Sequence, residues 1–458
     1  MSDDHASHAV GAYGSRINQT PNIDRIASEG MRFDACFCTN SICTPSRAAV
    51  LTGTYNHTNG VTTLDTPMDN RLDTYPKLLR AVGYQTALFG KWHLGHGPAH
   101  DPTGFDEWLV LPDQGLYHDP DFLGPEGSRV IGGYATDIIT DLALGWLDDR
   151  DVDRPFALMV HHKAPHRPWE PDEAHADLYE DDHIPEPETF WDDHSHRAAA
   201  AAAARMRMMD LDEIDLKQPV PDGLTEEQEV SWRYQRYIKD YLRVVASIDD
   251  NVGRLLDRLD EAGLADDTVV VYTSDQGFFL GDHGWFDKRF MYEESLAMPL
   301  LIRYPREVAP GSVTRDIVLN VDFAPTFLDL AGIDVPAWMQ GTSFRPLFGG
   351  TTPDDWQLSM YYRYWMHRDR DHNVWAHYGV RTLRHKLIYW YNDPLGQLGA
   401  HGPSDPPEWE LFDLVEDPFE LRNVIDDPAN ASLVAELRSE LRRLQRKVGD
   451  EPHHSERQ

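Results

Sequence analysis

Five residues, Cys43-Thr44-Pro45-Ser46-Arg47, place a cysteine just before a helix start. Pro45 suits the first helical position, and residues 47–51 continue as helix formers. Cys43 is therefore expected where free backbone N–H groups and the positive end of the helix dipole face outward, a setting that favours an anion or an anionic intermediate. A buried cysteine at a helix start is the plain alternative.

Two acidic segments suggest a second kind of chemistry. Asp3-Asp4 and Ser274-Asp275-Gln276-Gly277 supply three carboxylates and an amide, the hard oxygen ligands that Ca²⁺ or Mg²⁺ takes. Taken singly, a terminal Asp-Asp is solvated surface and a Ser-Asp-Gln-Gly is a turn, so what matters is where the neighbouring elements put them.

Those elements alternate. Thr20-Pro21 opens a helix that Gly30 closes; Pro76 opens another that Gly83 closes, and the apolar run 84–89 follows. Residues 133–147 read as a helix and 155–160 as a buried strand. Thr225-Glu226-Glu227-Gln228 is a capping box, after which Tyr234, Ile238, Tyr241, Val245, Ile248, Val252, Leu255 and Leu259 recur at helical spacing until Gly263. A β-branched strand is then expected over 268–273. The alternation predicts a mostly parallel sheet covered on both faces, and such sheets bind ligands at the carboxyl ends of their strands. Lys91 and His93 follow one strand, His161, His162 and His166 a second, and Asp275 and Gln276 a third. Asp3 and Asp4 would follow a strand of ordinary length expected upstream of Met1, so four separated segments converge on one edge.

At this point the chain resembles a known family, the type I sulfatases of the alkaline phosphatase superfamily. Cys43-x-Pro45-Ser46-Arg47 followed by Ala48-Ala49-Val50-Leu51-Thr52-Gly53 looks like their first signature and Gly90-Lys91-Trp92-His93-Leu94-Gly95 like their second. Lys163-Ala164-Pro165-His166-Arg167-Pro168 and Asp287-Lys288-Arg289-Phe290-Met291-Tyr292-Glu293 match further segments, and the likeness runs from Asp3-Asp4 to Glu410-Leu411-Phe412-Asp413-Leu414.

The resemblance implies an α/β fold, a large mixed, mostly parallel sheet sandwiched by helices over residues 1–350, with a small C-terminal α+β domain over 351–458 made of antiparallel strands and a closing helix. It implies that Cys43 is oxidised to formylglycine by a formylglycine-generating enzyme. Asp3, Asp4, Asp275, Gln276 and the modified Cys43 would hold a divalent cation, Ca²⁺ in most relatives and Mg²⁺ as the other choice. Gln276 stands where many sulfatases have Asn or His, and its extra methylene makes its direct ligation the least secure of the set. Lys91 and Lys288 would bind the sulfate, Arg47 would hold the aldehyde hydrate, and Asp275 would help remove the hydrate's proton. His166 would protonate the departing alcohol, and His93 would take the proton that lets the sulfated intermediate collapse. His5, His161, His162 and His283 keep an ordinary structural reading, as most of the 22 histidines must.

Composition bounds the alternatives. With 458 residues, 41% hydrophobic, the chain can bury a large core, and no run of about 18 apolar residues is present to span a membrane. A net charge of −35 argues against nucleic acid or an anionic membrane as partner. Cys36, Cys38 and Cys43 are the only cysteines and lie within eight positions, so a disulfide framework is not expected. Cys36 and Cys38 read as small buried residues on a strand over 31–38, with a metal pair as the alternative. The opening Met1-Ser2-Asp3-Asp4-His5 carries no secretory signal, so a cytoplasmic location is the expectation for the sequence as given, and the segment expected upstream could itself carry a signal.

Beyond about residue 350 the chain reads as a linker over 349–353, aromatic strands over 360–365 and 387–391, and an amphipathic helix over 430–448. His372, His377, Arg381 and Lys386 are the candidates there for reaching the substrate alcohol, with packing the default for each. The region 172–223, acidic and then Ala-rich over 198–204, is expected to insert a helix that caps or flanks the cleft. Three functions compete: a sulfate monoester hydrolase acting on a small sulfated substrate, expected to be a sugar; a phosphonate monoester or phosphodiester hydrolase sharing the same machinery; and an inactive binding protein in which Cys43 is never converted.

Overall fold

The structure is a computed structural model that describes residues 1–457, and its α/β part is built on two mixed sheets. The first runs Gly127–Val130, Asp121–Gly124, Glu107–Leu111, Gln85–Lys91, Phe156–His161, the last three strands mutually parallel. The second runs Ser312–Thr314, Met31–Phe33, Leu300–Arg303, Val270–Thr273, with the first pair parallel and the others antiparallel.

Alternation along the central strands sends side chains into two different cores, as a sheet covered on both faces requires. Leu88, Val110 and Met159 pack with Ala48 and Leu51 of the helix Cys43–Thr52 and with Leu79, Ala324 and Leu328. Ala87, Phe89, Leu109 and Leu111 pack instead with Ile138, Ile139 and Ala143 of the helix Ala135–Asp149.

Residues 1–3 tie the two sheets together at their carboxyl ends. The Met1 ammonium donates to Val160 O at 2.7 Å and the His162 N–H to Met1 O at 3.0 Å, while the Ser2 N–H donates to Thr273 O at 3.0 Å. Beneath them a cavity of about 720 Å³ with largely apolar walls separates the strands Phe156–His161 and Val270–Thr273. The strand expected ahead of Asp3 would precede the residues described.

Most expected elements form close to their expected bounds. The capping box is intact, with Thr225 Oγ1 accepting from Gln228 N at 3.3 Å and Gln228 Oε1 accepting from Thr225 N at 2.9 Å. It opens a 36-residue helix, Glu226–Glu261. The strand expected over 31–38 breaks into Met31–Phe33 and Cys36–Phe37, because the second piece leaves its sheet to pair with Val318–Leu319. Cys36, Cys38 and Cys43 are free and buried, and burial pushes the Cys38 thiol up to about 12, in keeping with inert packing residues.

The C-terminal strands Ser359–Tyr364, His377–Thr382, His385–Trp390 and Glu408–Asp413 form an antiparallel meander, closed by the helix Ala431–Val448 through Leu437, Leu441 and Leu444. Its core is continuous with that around Phe290 and Leu300. The Ala-rich segment flanks the site and does not cap it. Its helix, Ala199–Ala203, is wedged against this meander, with Ala200 and Ala201 fully buried, the Ala198 N–H donating to Glu410 Oε1 and the Arg205 N–H to His372 O.

Candidate active site

Cys43 opens the helix Cys43–Thr52, two residues earlier than Pro45 predicted, with Ile42 as its N-cap. Its Sγ lies 3.4 Å from Asp3 Oδ1 and is 1% exposed. Burial pushes the thiol up to about 12, and Lys288 and Arg47 offset this only in part. The helix terminus alone therefore does not produce a thiolate here, and as a plain cysteine the residue is a poor nucleophile at neutral pH.

Four segments converge on it, as the sheet-edge argument requires. Arg47, one turn along the helix, donates from Nε to Asp275 Oδ2 at 3.0 Å and from Nη1 to Lys91 O at 2.9 Å, with Nη2 3.7 Å from Asp3 Oδ1. Lys91 ends its strand with Nζ donating to Asp3 Oδ2 and, at 2.5 Å, to Gln114 Oε1. Lys288 Nζ donates to both Asp4 oxygens at 2.7 Å. The Asp4 N–H donates to Asp275 Oδ1 at 3.1 Å, which locks the two acidic segments together. Gly90 permits the approach of Lys91: a Cβ there would lie 2.0 Å from His161 O.

Three carboxylates face three cations in a site closed to water. Burial pushes Asp4 up to about 7 despite the adjacent Lys288, and burial also holds Lys91 well below the ordinary lysine range. His93 and His166 are both held well below the usual histidine range, by burial first and then by neighbouring cations led by Lys91. Both imidazoles are neutral in the free site. His166 Nδ1 is 2.7 Å from Arg167 O, so the proton sits on Nδ1 and Nε2 carries the lone pair, 3.8 Å from Asp4 Oδ2. His93 is held in a left-handed conformation at φ 54°, its carbonyl accepting from Thr44 Oγ1 at 2.9 Å and its buried Nδ1 unpartnered.

The donor set fits a hard divalent cation. Oxygens of Asp3, Asp4 and Asp275 lie within 4.8 Å of one another. Gln276 donates its Nε2 to Asp4 Oδ1, while its Oε1 is buried with no hydrogen-bond partner, an uncompensated acceptor that a cation would satisfy.

The structure also sorts the remaining candidates. His161 Nδ1 pairs with Lys91 O, His162 Nε2 with Thr140 Oγ1 and His5 Nδ1 with Tyr272 Oη, all as packing groups. His283 pairs with Asp192 and Glu294. Three of the four C-terminal candidates take the default packing role and do not reach the substrate. His377 Nε2 accepts from Met291 N, while Arg381 and Lys386 are committed to Glu293, because the meander docks through them. His372 alone reaches the site's margin, its Nε2 3.3 Å from Asp287 Oδ2 beside Lys288. Gln114 was missed by sequence reading, since a lone Gln in a loop carries no spacing signal; only the fold sets it on Lys91.

Comparison with known proteins agrees with this geometry. Residues 1–333 match the family model described as Sulfatase, and residues 281–447 that described as N-sulphoglucosamine sulphohydrolase, C-terminal. The chain belongs to the sulfatase family of the alkaline phosphatase superfamily and is a sulfuric ester hydrolase, and the sulfatase family works with a formylglycine and a divalent metal. It is 41% identical, over 98% of its length and 86% of the relative's, to an N-acetylglucosamine-6-O-sulfatase of Bacteroides thetaiotaomicron. The human N-acetylglucosamine-6-sulfatase is 27% identical over 74% of this chain and 61% of that protein. A solved structure of a protein in complex with its substrate D-glucosamine-2-N,6-O-disulfate superposes with a TM-score of 0.93 at 41% identity, covering 98% of this chain and 97% of that one.

Proposed function

We propose that this sulfatase removes the 6-O-sulfate from an N-substituted glucosamine, using a formylglycine made from Cys43 by a formylglycine-generating enzyme, with Ca²⁺ as its metal. The observation that carries the substrate is the 41% identity, along nearly the whole chain, to an N-acetylglucosamine-6-O-sulfatase and to a protein solved with a 6-O-sulfated glucosamine. The poor nucleophilicity of the buried Cys43 thiol favours the modified residue.

Formylglycine supplies an aldehyde hydrate, and with it the attacking oxygen and a second hydroxyl whose deprotonation expels sulfate. A cation held by Asp3, Asp4, Asp275 and Gln276 would supply Lewis acidity beside it. The rest falls to the chain's own groups. Arg47, anchored on Asp275 and the Lys91 carbonyl, orients whatever stands at position 43. Lys91 and Lys288 concentrate positive charge where the ester's oxygens would sit, and exclusion of water strengthens that attraction. His166 is neutral in the free site because burial and cations oppose its protonation. An entering anionic ester reverses that balance and favours the imidazolium able to protonate the leaving alcohol. His93, with Nδ1 free of partners, is the base for the second half of the reaction.

The test has two parts. Protein co-produced with a formylglycine-generating enzyme should show a loss of about 18 Da on the Cys43 peptide, the change from thiol to aldehyde. That protein should then release sulfate from N-acetylglucosamine 6-O-sulfate in preference to phosphonate monoesters and phosphodiesters. Converted protein that cleaves only the phosphorus esters would overturn the reading.

A further inference from the structure

We propose a second metal site, remote in sequence from the catalytic residues, in which Asp393, His453 and His454 hold a borderline transition ion of the Zn²⁺ type. One ligand atom from each of these residues lies within 4.8 Å of the other two. His453 is 6% exposed. Its Nδ1 is engaged 2.6 Å from Ser455 Oγ, and its ring stacks on Tyr391 at 5.1 Å between centroids. These contacts fix the ring and leave Nε2 as the free position. That atom is buried and faces Asp393 Oδ2 at the ion-pair distance of 3.4 Å, with no other polar partner. A buried ring nitrogen whose one polar neighbour is a carboxylate, with a second imidazole within reach of both, is an arrangement a metal would complete.

Ligand chemistry selects the ion. Two imidazoles and one carboxylate suit Zn²⁺ and its first-row neighbours and not Ca²⁺ or Mg²⁺, whose sites are built from oxygen; three protein ligands leave a position for water. The location gives the site a role. Asp393 stands at the neck of the loop 392–406, which closes where Asn392 Nδ2 donates to Pro406 O at 2.8 Å. His453 and His454 belong to the C-terminal tail, so the ion would clip that tail to the loop. The loop in turn holds Arg368 through Asp405 at 2.5 Å, in the segment that carries His372 to Asp287. This inference does not depend on the substrate proposed above.

The experiment uses the whole chain with Cys43→Ala, so that the active-site thiol cannot take up the probe. After chelator treatment and its removal, Co²⁺ titration is followed by visible d–d absorption and Zn²⁺ titration by calorimetry. With Ca²⁺ kept in excess so that Asp3, Asp4 and Asp275 stay occupied, one equivalent of the probe ion should bind in this background and raise the melting temperature. His454→Ala, at an exposed position, should lose that equivalent, its affinity falling by more than about 100-fold, since losing a direct ligand exceeds the effect of losing an outer-shell partner. Asp393→Asn should weaken it in the same sense. A parent that binds neither ion, or a His454→Ala variant that binds as tightly as the parent, would overturn the site.

Discussion

The Arg47 guanidinium donates from Nε to Asp275 Oδ2 at 3.0 Å, so the helix that carries Cys43 is fastened to a carboxylate from the opposite sheet. Both side chains are almost wholly buried. Because Nη1 is spent on the Lys91 carbonyl, the fork geometry of arginine joins three segments at once. Lysine keeps the charge but has no fork. Arg47→Lys should therefore leave a folded protein whose kcat/KM for a sulfate ester is down by about 100-fold, close to 3 kcal/mol of transition-state stabilisation. Steady-state kinetics on the converted enzyme measures this, and a variant within a few-fold of the parent would show that charge alone suffices.

Gln276 has an unpartnered Oε1 available to a cation, whereas Asp275 would contribute a carboxylate. Chelation should abolish sulfate release, and Ca²⁺ should restore it. Gln276→Ala should raise the Ca²⁺ concentration needed for half-restoration by about 10-fold, while Asp275→Asn should not be restored at any accessible concentration. Equal responses in the two variants would argue that Gln276 is not a ligand.

His283 is wholly buried and its ring lies 3.5 Å from Glu294 and 3.2 Å from Asp192. Burial opposes its charge, but the two carboxylates outweigh burial and raise it from 6.5 to about 9. A raised histidine stabilises the fold in full below its unfolded value and loses that contribution as pH rises through about 9. His283→Gln should therefore be less stable than the parent by about 1–3 kcal/mol near pH 6, with the gap closing by about pH 10. Urea melts across that range give the answer; parallel curves would mean the ring is neutral in the folded protein.

Lys386 is fully buried between Glu293 at 2.8 Å and Glu420 at 2.7 Å, at the seam between the C-terminal meander and the rest of the chain. Lys386→Met leaves Glu293 its pairing with Arg381 but leaves the buried Glu420 without its cation. We expect a loss of about 3–5 kcal/mol, partly recovered by adding Glu420→Gln. Denaturant unfolding of the single and double variants tests both statements. A double variant as unstable as the single would place the cost in packing instead of charge.

The sequence determined by itself what is set by short-range chemistry. Alternating periodicities and the rule that ligands gather at the carboxyl ends of strands together bring Asp3, Lys91, His166 and Asp275 to one edge, and the signature around Cys43 adds the residue they surround. Those signals lie within a turn or a strand of the residues they describe, so they survive without knowledge of the rest. The tertiary structure alone decided what depends on partners far along the chain. Burial drives the Cys43 thiol upward, helped by Asp275 and opposed by Lys288, 245 residues away, a balance that no signal local to Cys43 carries. His377, Arg381 and Lys386 look chemically available in one dimension and are consumed by an interface in three. The Ala-rich segment reads as a loose insertion until the meander closes on it. Gln114 on Lys91 and His453 against Asp393 are likewise contacts between loops, where no periodicity exists to announce them and only the packed chain supplies the distance.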